Sequence, residues 1–121
     1  MARILIVEDS PTNMLLAVDV LESAGYIALQ ADNAKTGIAT AQNDLPDLIL
    51  MDIQLPDMDG MAATRLLKAD ARTATIPVMA LTASAMKGDR ERIMAAGFDG
   101  YIEKPIRYKE FLAAIAAVTK P

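Results

Sequence analysis

The sequence predicts a single α/β domain, a doubly wound parallel sheet of five strands with helices on both faces. Short apolar runs alternate with longer segments of helical period, in the order βαβαβαβαβα, and that alternation gives parallel strands joined by right-handed crossovers. The first run, Arg3 to Val7, is continuously apolar rather than alternating, as expected of a strand covered on both sides. The length of 121 residues suits one domain with a real core.

The elements follow in order. After the first strand, Ser10-Pro11-Thr12-Asn13 offers cap chemistry, and Met14, Val18 and Leu21 recur at helical spacing. Gly25 stops that helix, and Tyr26 to Ala31 reads as the second strand. Asp32-Asn33 caps a helix from about Ala34 to Asn43, which ends at the Leu45-Pro46 step. Asp47 to Met51 is the third strand. The loop Gln54 to Gly60 contains Pro56 and an Asp59-Gly60 turn, and a helix through Leu66-Leu67 follows. Ile76 to Leu81 is the fourth strand, with Pro77 tolerable near its start. Ser84 to Ala96 has a helical pattern apart from Gly88, and Gly97 is a good stop. A short strand, Gly100 to Glu103, precedes a last helix with Tyr108, Phe111, Leu112 and Ile115 on one face.

Composition narrows the function. A hydrophobic share of 53% with few aromatics suits helices layered on a buried sheet and argues against disorder. Cysteine and histidine are absent, which removes disulfides, thiolate nucleophiles, imidazole bases and the usual zinc sites. The net charge of -4 argues against direct nucleic-acid binding, for which a basic patch is the usual mark. No apolar run approaches the roughly 18 residues of a membrane span, and Glu8-Asp9 end the first run too early for a signal peptide. The sequence reads as a soluble, cytoplasmic protein.

Polar residues of unusual variety lie at the carboxyl ends of the strands: Glu8-Asp9, Asp52, Thr82 and Lys104-Pro105. In open α/β sheets, ligands sit outside those ends, where strand order reverses. Taken singly, each residue has an ordinary explanation, because acids and lysines are mostly solvated and a β-branched residue suits a strand end. Taken together they predict a site. Carboxylates so close repel one another unless a cation intervenes, and Mg²⁺ suits a set with too few ligands for a calcium cage. Asp52 is the candidate nucleophile, able to take a phosphoryl group as an aspartyl phosphate. Mg²⁺ and the Lys104 ammonium would offset charge on that group, and the Thr82 hydroxyl would donate to it.

These residues sit in motifs that resemble the receiver domain of two-component response regulators: ILIVED at 4 to 9, DLILMDIQLPDMDG at 47 to 60, PVMALTA at 77 to 83 and YIEKP at 101 to 105. The resemblance spans essentially the whole chain, so that residues 1–121 read as one receiver domain. The stretch ALTASAMKGDRERIMAAGFDGYIEKPI is similar to stand-alone receivers of the DivK cell-cycle type.

The resemblance implies a flavodoxin-like (βα)5 fold with strand order 2-1-3-4-5. It implies that Asp52 accepts a phosphoryl group from a histidine on a sensor kinase or phosphotransfer protein. Asp9, Asp52 and the backbone carbonyl of Gln54 would ligate Mg²⁺, with Glu8 acting through water. Thr82 and Lys104 would bind phosphoryl oxygens, and the Lys104-Pro105 bond would be cis. An exchange involving Thr82 and Tyr101 would reshape the face of the fourth helix, fifth strand and fifth helix, where a downstream protein docks. Gln54 and Ser84 would tune the lifetime of the aspartyl phosphate, whose formation and hydrolysis the domain itself promotes.

Two other functions compete. A haloacid-dehalogenase-like phosphatase also uses an aspartyl phosphate, but places a second Asp two residues on, where this chain has Gln54. A pseudo-receiver would bind partners without phosphorylation, and such domains usually lose an acid, the acceptor or the lysine. Outside the site, Tyr101 alone reads as a half-buried packing residue, and Met14, Met51, Met79 and Met94 read as core filler. Lys87, Asp89, Arg90, Glu91 and Arg92 read as a solvated helix face with local ion pairs.

Overall fold

The computed structural model describes residues 2–83 and 86–119. Its elements are β1 (Arg3–Val7), α1 (Pro11–Ser23), β2 (Ile27–Ala31), α2 (Ala34–Asp44), β3 (Leu48–Asp52), α3 (Gly60–Ala69), β4 (Val78–Thr82), α4 (Lys87–Ala95), β5 (Gly100–Glu103) and α5 (Tyr108–Thr119). All neighbouring strands are parallel, in the order β2-β1-β3-β4-β5. That is the doubly wound order the sequence motifs imply.

Period-2 alternation divides the core into two layers. Ile4, Ile6, Leu48, Leu50, Met79 and Leu81 face α1 and α5, where they meet Met14, Leu21, Phe111 and Ile115. Leu5, Val7, Ile49, Met51, Val78 and Ala80 face the other way, against Ala34, Ala41, Ala63, Leu67 and Ile93. Every residue of β3 and β4 is buried, which explains why those runs read as continuously apolar.

Local chemistry sets the helix ends. Ser10 Oγ accepts from Asn13 N at 3.3 Å to cap α1, with Pro11 in the first turn. Asn33 Oδ1 accepts from Thr36 N at 2.8 Å to cap α2. The other end of α2 is closed by Leu45 in a left-handed conformation, φ 46°, although such backbone favours glycine. The Arg3 guanidinium donates to the carbonyls of Asp44 and Leu45 there, holding the strained turn in place. Packing on this layer is close. A Cβ at Gly37 would stand 2.7 Å from Val7 Cγ2, so α2 can lie against β1 only with glycine at that contact.

The structure revises some expectations. Tyr26 and Ile76 lie just outside the strands assigned to them, and α4 begins at Lys87; the expected start, Ser84, lies outside the described residues. Met14, Met51 and Met79 fill the core, but Met94 is 50% exposed and is not filler. Phe111 and Ile115 are fully buried and Leu112 packs at the margin, whereas Tyr108 in the first turn of α5 stands mostly in solvent. Thr64, inside α3, is fully buried, and its hydroxyl has no hydrogen-bond partner among the described residues.

An unpartnered buried hydroxyl costs roughly 1–3 kcal/mol. Thr64→Val, which keeps the shape and removes the oxygen, is therefore expected to raise the melting temperature by a few degrees. Thermal unfolding followed by circular dichroism checks this, and a lowered Tm would show that the hydroxyl has a partner.

Candidate functional site

The carboxyl ends of four strands converge on one cavity of about 550 Å³, whose lining includes Glu8, Asp9, Asp52, Gln54, Thr82 and Lys104. The topology puts it there. From β1 the chain crosses to β2 on one side and later returns to β3 on the other, so the crevice opens above β1 and β3. Glu8 and Asp9 follow β1, Asp52 and Thr82 are the last residues of β3 and β4, and Lys104 follows β5. Glu8, Asp52 and Thr82 are buried, while Asp9 is exposed at the rim.

The two buried carboxylates are each held by a backbone amide. Glu8 Oε2 accepts from Ser10 N at 3.1 Å, and Asp52 Oδ1 accepts from Gln54 N at 3.0 Å. The Lys104 ammonium joins the two acids, with Nζ 2.8 Å from Glu8 Oε1 in an ion pair and 3.0 Å from Asp52 Oδ2. Lys104 N also donates to Thr82 O at 2.7 Å, which carries the β4–β5 pairing to the base of the lysine side chain. The Lys104-Pro105 peptide bond is cis.

Burial opposes the Lys104 charge, but contacts to Glu8 and Asp52 outweigh it and hold the lysine pKa above its ordinary value. Oxygens of Glu8, Asp9 and Asp52 lie within 4.8 Å of one another. Three carboxylates against one ammonium leave a formal excess of two negative charges. An all-oxygen cluster with that excess fits a hard divalent cation.

The loop after β3 is built tightly around Asp52. Gly60 N donates to Ile53 O at 2.7 Å, and Gln54 bridges Asp59 in antiparallel fashion. A Cβ at Gly60 would stand 2.1 Å from the Asp52 carbonyl oxygen, so only glycine can occupy that turn. Asp59 Oδ1 accepts from Met61 N at 2.8 Å and caps α3.

The structure thus brings together Glu8, Asp9, Asp52, Gln54, Thr82 and Lys104. Tyr101 is set apart, half-buried in β5 and packed against the core layer under α2, α3 and α4. Ser84 lies outside the described residues. Sequence reasoning missed the direct Glu8–Lys104 pair and the Gly60 contact. It also missed that Asp89 and Arg92, paired at 3.6 Å, border the same cavity besides forming a local helix pair.

Comparison with known proteins agrees with this geometry. The model of the response regulator receiver domain family matches residues 4–116. This chain belongs to that family. It is 46% identical over 112 residues to the polar-differentiation response regulator DivK of Brucella anthropi, covering 93% of this chain and 91% of that protein. DivK of Brucella ovis is 45% identical over the same span. Among solved structures, the receiver domain of a sensor histidine kinase from Pseudomonas aeruginosa is 34% identical, with TM-score 0.91 over 99% of this chain and 98% of that one. That receiver was crystallised with a magnesium ion coordinated in its active-site cleft. A response regulator from Chloroflexus aurantiacus superposes with TM-score 0.94 at 26% identity, covering 99% of this chain and 98% of that one.

Receiver domains are the phosphoacceptor modules of two-component signalling, working with histidine kinases or phosphotransfer proteins and with downstream targets, and this DivK-like receiver has that signalling role. No helix among the described residues is long and apolar enough to cross a membrane.

Removing the ammonium would leave Glu8 and Asp52 uncompensated, so Lys104→Met is expected to cost roughly 3 kcal/mol at neutral pH in EDTA. A raised lysine pKa stabilises the folded state below about pH 10.4, and that contribution is lost as pH climbs through the folded-state value. Urea unfolding should therefore show the wild-type advantage over Lys104→Met shrinking in strongly alkaline solution. An advantage that persists unchanged there would contradict the ion-pair assignment.

Proposed function

We propose that Asp52 is the phosphoacceptor of this receiver, in a Mg²⁺-dependent transfer from a phosphohistidine on a sensor kinase or phosphotransfer protein. The supporting observation is its placement: a buried carboxylate at the end of β3, oriented by Gln54 N on one oxygen and Lys104 on the other, in a cavity open to solvent. Asp9, Asp52 and the Gln54 carbonyl would hold Mg²⁺, with Glu8 contributing through water, and the ion would supply positive charge against the transferring phosphoryl group.

A carboxylate oxygen of Asp52 bonds to phosphorus as the P–N bond of the donor breaks, and the electron pair returns to the ring nitrogen. Lys104 and the Thr82 hydroxyl bind phosphoryl oxygens in the product. The added charge and the new bonds stabilise a second conformation, in which Thr82 and Tyr101 rearrange. The readout is the face of α4, β5 and α5, where exposed Met94 and Tyr108 provide apolar contact for a downstream protein. The domain promotes its own phosphorylation and later hydrolysis, at a lifetime tuned by Gln54 and Ser84, and it works in the cytoplasm. Gln54 supplies no general acid, which disfavours turnover as a phosphatase.

The test is intact mass after incubation with Mg²⁺ and acetyl phosphate. Wild type is expected to gain one phosphate, and Asp52→Asn and an EDTA-treated sample to gain none while keeping the folded circular dichroism spectrum. Equal labelling of Asp52→Asn would remove Asp52 from the role.

A further inference from the structure

We propose that Asp57 is a positioning residue, which couples the loop after Asp52 to the N-terminus of α2 and thereby holds the metal-binding backbone in place. The inference rests on the reading above, in which the Gln54 carbonyl is a metal ligand.

Two bonds carry it. Asp57 Oδ1 accepts from Ala34 N at 2.9 Å, and Oδ2 accepts from Lys35 N at 2.9 Å. A helix leaves its first amides without partners inside the helix. Asn33, the cap of α2 itself, satisfies the amide of Thr36. Asp57 takes the two amides just before Thr36, from a loop more than twenty residues further along the chain. A carboxylate at a helix N-terminus also opposes the positive end of the helix dipole. The amides of Ala34 and Lys35 hold the Asp57 carboxyl below the usual aspartate range, so the charge on which the tie depends is present at neutral pH.

The loop itself is a small closed unit. Its ends are joined by the Gly60–Ile53 hydrogen bond and the Gln54–Asp59 bridge, and its start is bonded to the Asp52 carboxylate. Asp57 lies at the far side of this unit and anchors it to the body of the domain. A displacement at Asp57 is therefore passed to Gln54 and Asp52. Coupling of this kind is reciprocal: a cation that orders Asp52 and Gln54 must also tighten the first turn of α2.

The experiment compares wild type, Asp57→Ala, Asp57→Asn and Asn33→Ala. Asn33→Ala uncaps the same helix without touching the loop, and so reports what α2 stability alone contributes. Mg²⁺ affinity is measured by titration calorimetry, and amide hydrogen exchange at Ala34 and Lys35 is followed with and without Mg²⁺. Asp57→Ala is expected to weaken Mg²⁺ roughly tenfold, in the range seen when residues supporting metal ligands are removed. Asp57→Asn, which keeps one acceptor oxygen, should fall between it and wild type. Asn33→Ala, which loosens the first turn of α2 but keeps both Asp57 bonds, should lower Tm and weaken Mg²⁺ much less than Asp57→Ala does. In wild type, Mg²⁺ should slow exchange at Ala34 and Lys35, and in Asp57→Ala it should not.

At saturating Mg²⁺ the rate of labelling by acetyl phosphate should return to wild type in Asp57→Ala, because Asp57 does not touch the reacting atoms. Wild-type affinity in Asp57→Ala, or equal weakening in Asn33→Ala, overturns the inference. Wild type that binds no Mg²⁺ overturns the underlying site reading as well, and the wild-type titration alone distinguishes that case.

Discussion

Lys104, placed between Glu8 and Asp52, offsets part of the negative charge on which the crevice depends. Parallel strands that end level with one another deliver acidic side chains to one point, and buried carboxylates there repel with little screening by water. One ammonium relieves part of that repulsion. The remainder is a formal excess of two negative charges that reaches the rim at Asp9, so the site is stable enough to form yet still attracts a divalent cation. Lys104 is in turn held by its own backbone, which is bonded to the last residue of β4. This partial offset is thus a consequence of strand order.

The rest of the fold keeps those strand ends in register. Two core layers grip the sheet, and β3 and β4, which carry Asp52 and Thr82 to the crevice, are buried along their whole length. Small residues let backbone approach where it must: Gly37 lets α2 lie on Val7, and Gly60 lets the loop fold back onto Asp52. In a close-packed interior, even one added methyl at such contacts has to move something. Around the site, the atoms that would have to move are the Asp52 backbone itself.

Much of this was legible in the sequence because it follows from period and from local chemistry. Continuous apolar runs marked β1, β3 and β4, and Ser10 and Asn33 stand before helices they do cap, while Asp59, which reads as a turn residue, also caps α3. The ends of those runs located the acids and Thr82, and the end of the short run Gly100 to Glu103 located Lys104. What escaped was what depends on three-dimensional neighbours. Leu45 takes a left-handed turn that glycine would favour, because Arg3 reaches its carbonyl from another strand. Tyr108 shares the helical period of Phe111, Leu112 and Ile115 yet stands mostly in solvent, and Met94, one residue past the buried Ile93, turns outward. Asp57 carries no mark in the sequence that sets it apart, since its partners, Ala34 and Lys35, are distant in sequence and bond through backbone alone.

The most direct test of the central claim is a nitrogen-15 amide spectrum of the protein titrated with Mg²⁺. A site with that negative excess at the strand ends requires saturation at one ion per chain, with the largest shifts at residues 8–10, 52–54 and Lys104. Absence of saturable shifts, or shifts centred elsewhere in the molecule, would contradict it.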